Sequence, residues 1–254
     1  MVKKQLLLAF FAFFVLTLPA LANVLTEIEE TNNETNKVVQ EYKEDVTGDG
    51  KQDTIVLEGV PYDKDSPYLK EIFLIVETDA NKKFKVTLEG GYEPEAEFQD
   101  LNHDGVKDVF ISVATGGSGG IYNYYLYSFK DNKQVDVGVP EPLTIQGEFQ
   151  DDYKAIVSIP ETQESYTVDL SGRKDEYDRL GLYVDGKLNE PTELMVDPYS
   201  FMKPENFGNV GYGLKAIQAI SGAYHADGIG RVESKWYYKD NKWTLVDARF
   251  IPFE

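Results

Sequence analysis

The sequence has no cysteine, two histidines and two tryptophans among its 254 residues. Without cysteine there is no disulfide framework, no thiolate metal site and no thiol to carry a lipid anchor. Basic residues are scarce: 25 Lys and Arg stand against 44 Asp and Glu, a formal charge of -19. A surface of that sign repels nucleic acid and other polyanions, which argues against phosphate-backbone binding, and it suits divalent cations. Long apolar runs are missing too, save one at the start.

That run, residues 6–18, follows Lys3 and Lys4 and leads into Pro19 and Ala20-Leu21-Ala22. A charged start, a short apolar stretch and a small-x-small trio predict a secretory signal over residues 1–22, too short to span a bilayer. The protein is therefore expected to be secreted, extracellular or cell-wall associated, with no membrane span after cleavage. Residues 23–40 are rich in Asn, Glu and Thr and predict a flexible leader, with a short helix or strand near Val38 and Val39.

From Asp45 onward short β-type segments abound: TIVLEGV, EIFLIVET, KFKVTLEG, DVFISVAT, IYNYYLYSF, AIVSIP, SYTVDL, LGLYVDG, KWYYKD and KWTLVDARF. Such runs, rich in Val, Ile, Tyr, Phe and Thr and parted by Gly, Asp, Asn and Pro, predict mostly antiparallel β structure. Asp240-Asn241 predicts a hairpin turn. One short helix is predicted near the C-terminus in YGLKAIQAISGAY, with Leu214, Ile217, Ala219 and Ile220 on its apolar stripe and Gly222 as its stop.

An internal repeat sharpens this picture. DVTGDGKQD (residues 45–53) and DLNHDGVKD (residues 100–108) begin 55 residues apart and each runs into an apolar strand. A third unit shows by its flanks: EFQD recurs at 97–100 and 148–151, and VFISV is echoed by AIVSI at 155–159, with Asp152-Tyr153-Lys154 in place of the acidic loop. Units of about 50 to 55 residues thus predict a repeat region over 41–160, followed by a less repetitive β-rich part over 161–254 that carries the helix.

The loop chemistry points to calcium. Calcium takes six to eight hard oxygen ligands, which a short loop supplies when oxygen-bearing side chains sit at alternate positions around a sharp turn. Positions 1, 3, 5 and 9 are Asp45, Thr47, Asp49 and Asp53 in the first loop and Asp100, Asn102, Asp104 and Asp108 in the second. Position 6 is glycine in both, and position 7, Lys51 or Val106, would offer its backbone carbonyl. Position 12 is Val56 or Ile111 rather than glutamate, and helices do not flank the loop, so it is not an EF-hand. Three carboxylates in one small loop repel one another, which a plain turn has no reason to tolerate twice.

DVTGDGKQDTIVL and DLNHDGVKDVFISV resemble the FG-GAP/VCBS repeat family, the calcium-loop repeats of integrin α-subunit propellers and many secreted bacterial proteins. The resemblance, with the weaker third unit, covers residues 40 to 160. It implies loops that join strands of a propeller blade, Ca2+ as the bound ion, and the side chains just named as its ligands. The Phe-Gly and Gly-Ala-Pro signatures are missing, and the length allows about four units, so a partial or small β-propeller-like array is expected.

Catalytic readings find weaker support. GGSGG (116–120) matches G-x-S-x-G, but a nucleophile elbow must open a helix, and IYNYYLYSF reads as a strand. Ser221, His225 and Asp227 crowd one turn-like segment, and no carboxylate pair stands out as in a glycosidase. His103, at loop position 4, is expected to be exposed. Tyr122, Tyr124, Tyr125 and Tyr127, with Trp236, Tyr237, Tyr238 and Trp243, are read as cross-strand core pairs or as a platform for a sugar or protein. The expectation is a secreted, calcium-binding, non-catalytic protein with a binding, adhesion or structural role at the cell surface, its partner a cell-envelope polysaccharide or an extracellular protein. The alternative is an extracellular hydrolase with structural calcium.

Overall fold

The computed structural model describes residues 36–117 and 119–253. Strands β1 (Lys37–Glu44), β2 (Asp53–Pro61), β3 (Leu69–Glu77), β4 (Lys83–Gln99), β5 (Asp108–Ala114), β6 (Tyr122–Ser128) and β7 (Val135–Asp136) form a seven-stranded antiparallel meander in chain order. The first strand begins inside the stretch expected to be a leader: Val39 and Tyr42 pack on the core, which holds it to the sheet. The expected signal, residues 1–22, lies outside the described residues.

Strand β4 runs for 17 residues and serves two halves of the sheet. Its first part pairs with β3 and its second with β5. Gly90 and Gly91 mark the change of partner, where a Cβ would stand 2.6 Å from the Leu69 carbonyl oxygen and 2.5 Å from that of Ala114. A side chain cannot enter there, so the pair of glycines lets the two halves fold over one core. Ile55, Leu57 and Leu74 from one half meet Val109, Ile111 and Val113 from the other, all fully buried. Each such aliphatic side chain contributes roughly 1.5–3 kcal/mol.

The chain continues through a three-stranded sheet, β8 (Gln146–Gln150), β9 (Lys154–Ile159) and β10 (Glu164–Asp169). Helix α1 (Lys174–Arg179) and a small hairpin of β11 (Tyr183–Val184) and β12 (Lys187–Leu188) follow. A four-stranded antiparallel sheet closes it: β13 (Met195–Asn206), β14 (Tyr212–Ser221), β15 (Gly228–Lys239) and β16 (Lys242–Pro252). The turn between the last two strands holds Asp240 and Asn241 at φ 53° and 58°, a left-handed pair of the kind that matches strand twist. One face of this sheet spans two cores. Leu214, Ala216 and Met202 cover Phe110 and Leu126, while Ile220, Val232 and Phe250 pack with Phe149, Val157, Tyr177 and Tyr183.

One expectation needs correction. Residues 212–221 form strand β14 rather than a helix; Leu214, Ala216, Gln218 and Ile220 are buried in strict alternation, and both edges are paired, to β13 and β15. The spacing of its apolar residues fits both periods, and pairing on two sides decides for the strand. The helix that does occur, α1, lies earlier and is buried through Tyr177. Among the described residues every sheet is open, and no closed barrel or propeller is present. No helix there is long and apolar enough to cross a membrane.

Candidate functional site

Both acidic loops connect the strands of a hairpin and share one register. Glu44 faces Asp53 across β1 and β2, and Gln99 faces Asp108 across β4 and β5, so the ninth loop residue is in each case the first of the returning strand. The third copy is also a hairpin, Gln150 facing Lys154, but residues 151–153 close it tightly, with Asp152 and Tyr153 at φ 58° and 53°. There Asp151 pairs with Lys187 at 2.8 Å and accepts from the Leu188 amide at 3.0 Å.

The two long loops use their carboxylates alike. Asp53 is fully buried and accepts from the amides of Val46 at 3.0 Å and Thr47 at 3.1 Å; Asp108, equally buried, accepts from Leu101 at 2.9 Å and Asn102 at 3.0 Å. Asp45 accepts from Gly48 at 2.7 Å and Gly50 at 2.8 Å, and Asp100 from Asp104 at 3.1 Å and Gly105 at 3.0 Å. Asp49 and Asp104 each accept from the amide two residues on, Lys51 at 2.9 Å and Val106 at 3.0 Å. Buried Val46 and Leu101, at position 2, peg each loop to a core.

Position 3 separates the loops. The Asn102 side chain accepts from Asp104 N at 2.9 Å and donates to Asp108 Oδ1 at 2.9 Å. Thr47, 3 % exposed, has a hydroxyl with no hydrogen-bond partner. Burial pushes the Asp108 carboxyl up to about 6, against the pull of its amide donors and Ser128.

The loops are neighbours. A Cβ on Gly48 would lie 2.5 Å from Val106 Cγ2, and Lys107 pairs with Glu44 at 2.7 Å. Asp131 N donates to the Thr47 carbonyl at 3.0 Å, and Lys130 Nζ bonds the Asp104 carbonyl and lies 3.6 Å from its carboxylate. Lys51 turns its ammonium to Asp79. His103 is exposed, as its loop position suggested, but stacks on Tyr237 at 4.4 Å between ring centroids.

The donor set offers hard oxygens in both loops, and the solitary Thr47 hydroxyl sits at loop position 3, where a ligand was expected. Against that, among the described residues no three Asp, Glu or His side chains converge as a metal-holding group. Amides and Lys130 already engage the carboxylates. In donor chemistry the loops fit calcium; in arrangement they stand as amide-capped joints.

The serine readings gain no geometry. Ser118 lies outside the described residues. Ser221 Oγ donates to the His225 carbonyl at 3.0 Å, the His225 ring lies 3.7 Å from Asp197, and Asp227 is taken by Tyr177 at 2.8 Å and by Arg173. The tyrosines of β6 divide: Tyr127 is buried, while Tyr122 stays 38 % exposed and continues a ladder of near-parallel rings through Tyr124 to buried Phe110. Nothing in the tyrosine spacing alone revealed that ladder, because Phe110 sits on the neighbouring strand.

An uncharacterized protein of Bacillus subtilis (strain 168), YybI, is 32% identical over 203 residues, covering 76% of this chain and 77% of its own length. The chain belongs to the YybI family. The family model of the YybI C-terminal domain matches residues 143–251, from the segment between β7 and β8 to the end of β16. This overturns the resemblance to FG-GAP/VCBS repeats: two short loops carried that likeness, whereas the YybI match runs through most of the chain. No solved structure matches the chain.

Proposed function

We propose that this member of the YybI family is a non-catalytic binding or structural protein of the cell exterior whose two hairpin loops take calcium. The observation that carries the metal reading is the pairing of two adjacent oxygen-rich loops with an unpartnered, buried hydroxyl at a ligand position of the first, Thr47. Asp45, Thr47, Asp49 and Asp53, and Asp100, Asn102, Asp104 and Asp108, would be the side-chain donors, with the carbonyls of Lys51 and Val106. Calcium would neutralise carboxylates that otherwise repel one another and close each loop on the ion. The charged, small-x-small start at residues 1–22 supports an exported protein, where millimolar-range calcium sites are sufficient. The same reading takes the sheets as a small open array of blade-like meanders, supported by three hairpins in common register and by face-to-face packing of neighbouring sheets.

A thermal melt tests the metal. The midpoint should rise on adding calcium and fall in chelator, since free calcium at ten times its dissociation constant stabilises by roughly 1.4 kcal/mol per site. Asp104→Ala should blunt the response. An unchanged midpoint in chelator would leave the second reading, loops held by their own amides and by Lys130, which the existing hydrogen bonds favour.

A further inference from the structure

The structure assigns a second binding feature, distant in kind from the loops: a cleft between β6 and the segment 139–142 that we infer takes a lysine- or arginine-bearing peptide segment of a partner. One wall is the ring ladder ending in exposed Tyr122, with Tyr124 behind it at 6.0 Å and 24° between planes. Pro140, Pro142 and Pro198 also line it, rigid groups with no rotamer freedom to lose on binding. The lining includes two glutamates, Glu89 and Glu141, and among the described residues no lysine or arginine lines it.

The ligand class follows from charge and size. Ring faces attract cations, carboxylates do the same, and the -19 field of the whole chain concentrates cations at such a cleft. Glu89 is oriented by the Asn123 side chain at 2.9 Å, and its amide donates to the Tyr125 hydroxyl at 3.1 Å. Glu141 is exposed and has no side-chain partner among the described residues, while its carbonyl is fixed by the Tyr199 hydroxyl at 2.8 Å. The cleft's volume, 240 Å³, falls below the roughly 300–1,000 Å³ of sites that enclose a small molecule. It therefore suits one long cationic side chain whose backbone remains outside, the geometry of an extended basic segment. This inference rests on the binding-protein reading and does not require calcium.

The test uses the full mature chain and two synthetic hexapeptides, one alternating Lys and Gly and one alternating Glu and Gly. The lysine peptide should bind and shift the tyrosine ring resonances of Tyr122 and Tyr124, and the glutamate peptide should not. Tyr122→Ala with Glu141→Gln, checked for an unchanged melt, should weaken binding about tenfold. Asp185→Asn with Glu190→Gln removes one carboxylate more than the first pair, from residues that do not line the cleft, and should leave the affinity unchanged. Equal weakening by both double variants would overturn the site, because binding would then follow net charge alone. A neutral oligosaccharide that shifts Tyr122 where the lysine peptide does not would overturn the cationic ligand and leave the binding role standing. The calcium-dependent melt reports on the loops independently of all these outcomes.

Discussion

At the residue scale the two loops differ most at position 3, and that difference is measurable. Thr47 buries a hydroxyl with no partner, a cost of about 1 kcal/mol or more that Asn102 avoids by making two hydrogen bonds. In chelator, Thr47→Val should therefore raise stability by about 1 kcal/mol in urea unfolding, while in calcium it should lose the contribution of the first loop. Asp108 gives a second prediction. Its carboxyl is raised to about 6 by burial, so between pH 4 and 6 the folded state keeps a proton that the unfolded chain releases. The contribution of this carboxyl to stability in chelator should be greatest below about pH 4 and be lost, by up to about 3 kcal/mol, as pH rises through 6. Asp108→Asn should flatten that slope. Bound calcium should reverse its sign, since protons then compete with the metal for the carboxylate.

At the scale of elements, the loops act as a pair because Gly48 sits against Val106. Gly48→Ala meets both a left-handed φ of 77° and a contact at 2.5 Å, and should cost about 1–3 kcal/mol. Adding Val106→Ala should restore part of that loss in a double-mutant cycle, leaving only the backbone strain. Gly50→Ala, with φ 84° and open space, should cost less. The hairpins themselves were legible, since turn residues alternated with Val- and Ile-rich runs. Strand β14 was not, because Leu214, Ile217 and Ile220 satisfy a helical spacing, whereas pairing on both edges buries Leu214, Ala216, Gln218 and Ile220 and turns Ile217 to the other face.

On the scale of the whole molecule, the C-terminal half is fastened by one polar knot. Asp227, 7 % exposed, accepts from Tyr177 of α1 at 2.8 Å and from the Ala223 amide at 2.9 Å, and pairs with Arg173. The knot ties the helix to the β14–β15 turn. Asp227→Ala would strand a guanidinium and a buried hydroxyl, and should lower stability by about 3 kcal/mol in denaturant unfolding. Tyr177→Phe removes only one donor and should cost about 1 kcal/mol. The knot lies within residues 143–251, the stretch that matches the YybI C-terminal domain.

By itself the sequence determined the β class, the hairpin at Asp240-Asn241 and the equivalence of the two acidic loops, because each is written in local composition and spacing. Family membership needed the whole chain, since two nine-residue loops carry little information beside 203 aligned residues. Only the tertiary structure decided that β14 is a strand, that Gly48 brings the loops together, that the Thr47 hydroxyl is left alone, and that Tyr122 ends a ladder at a carboxylate-lined cleft. Each of those depends on residues far apart in the chain, where packing and burial rather than local propensity set the lower free energy.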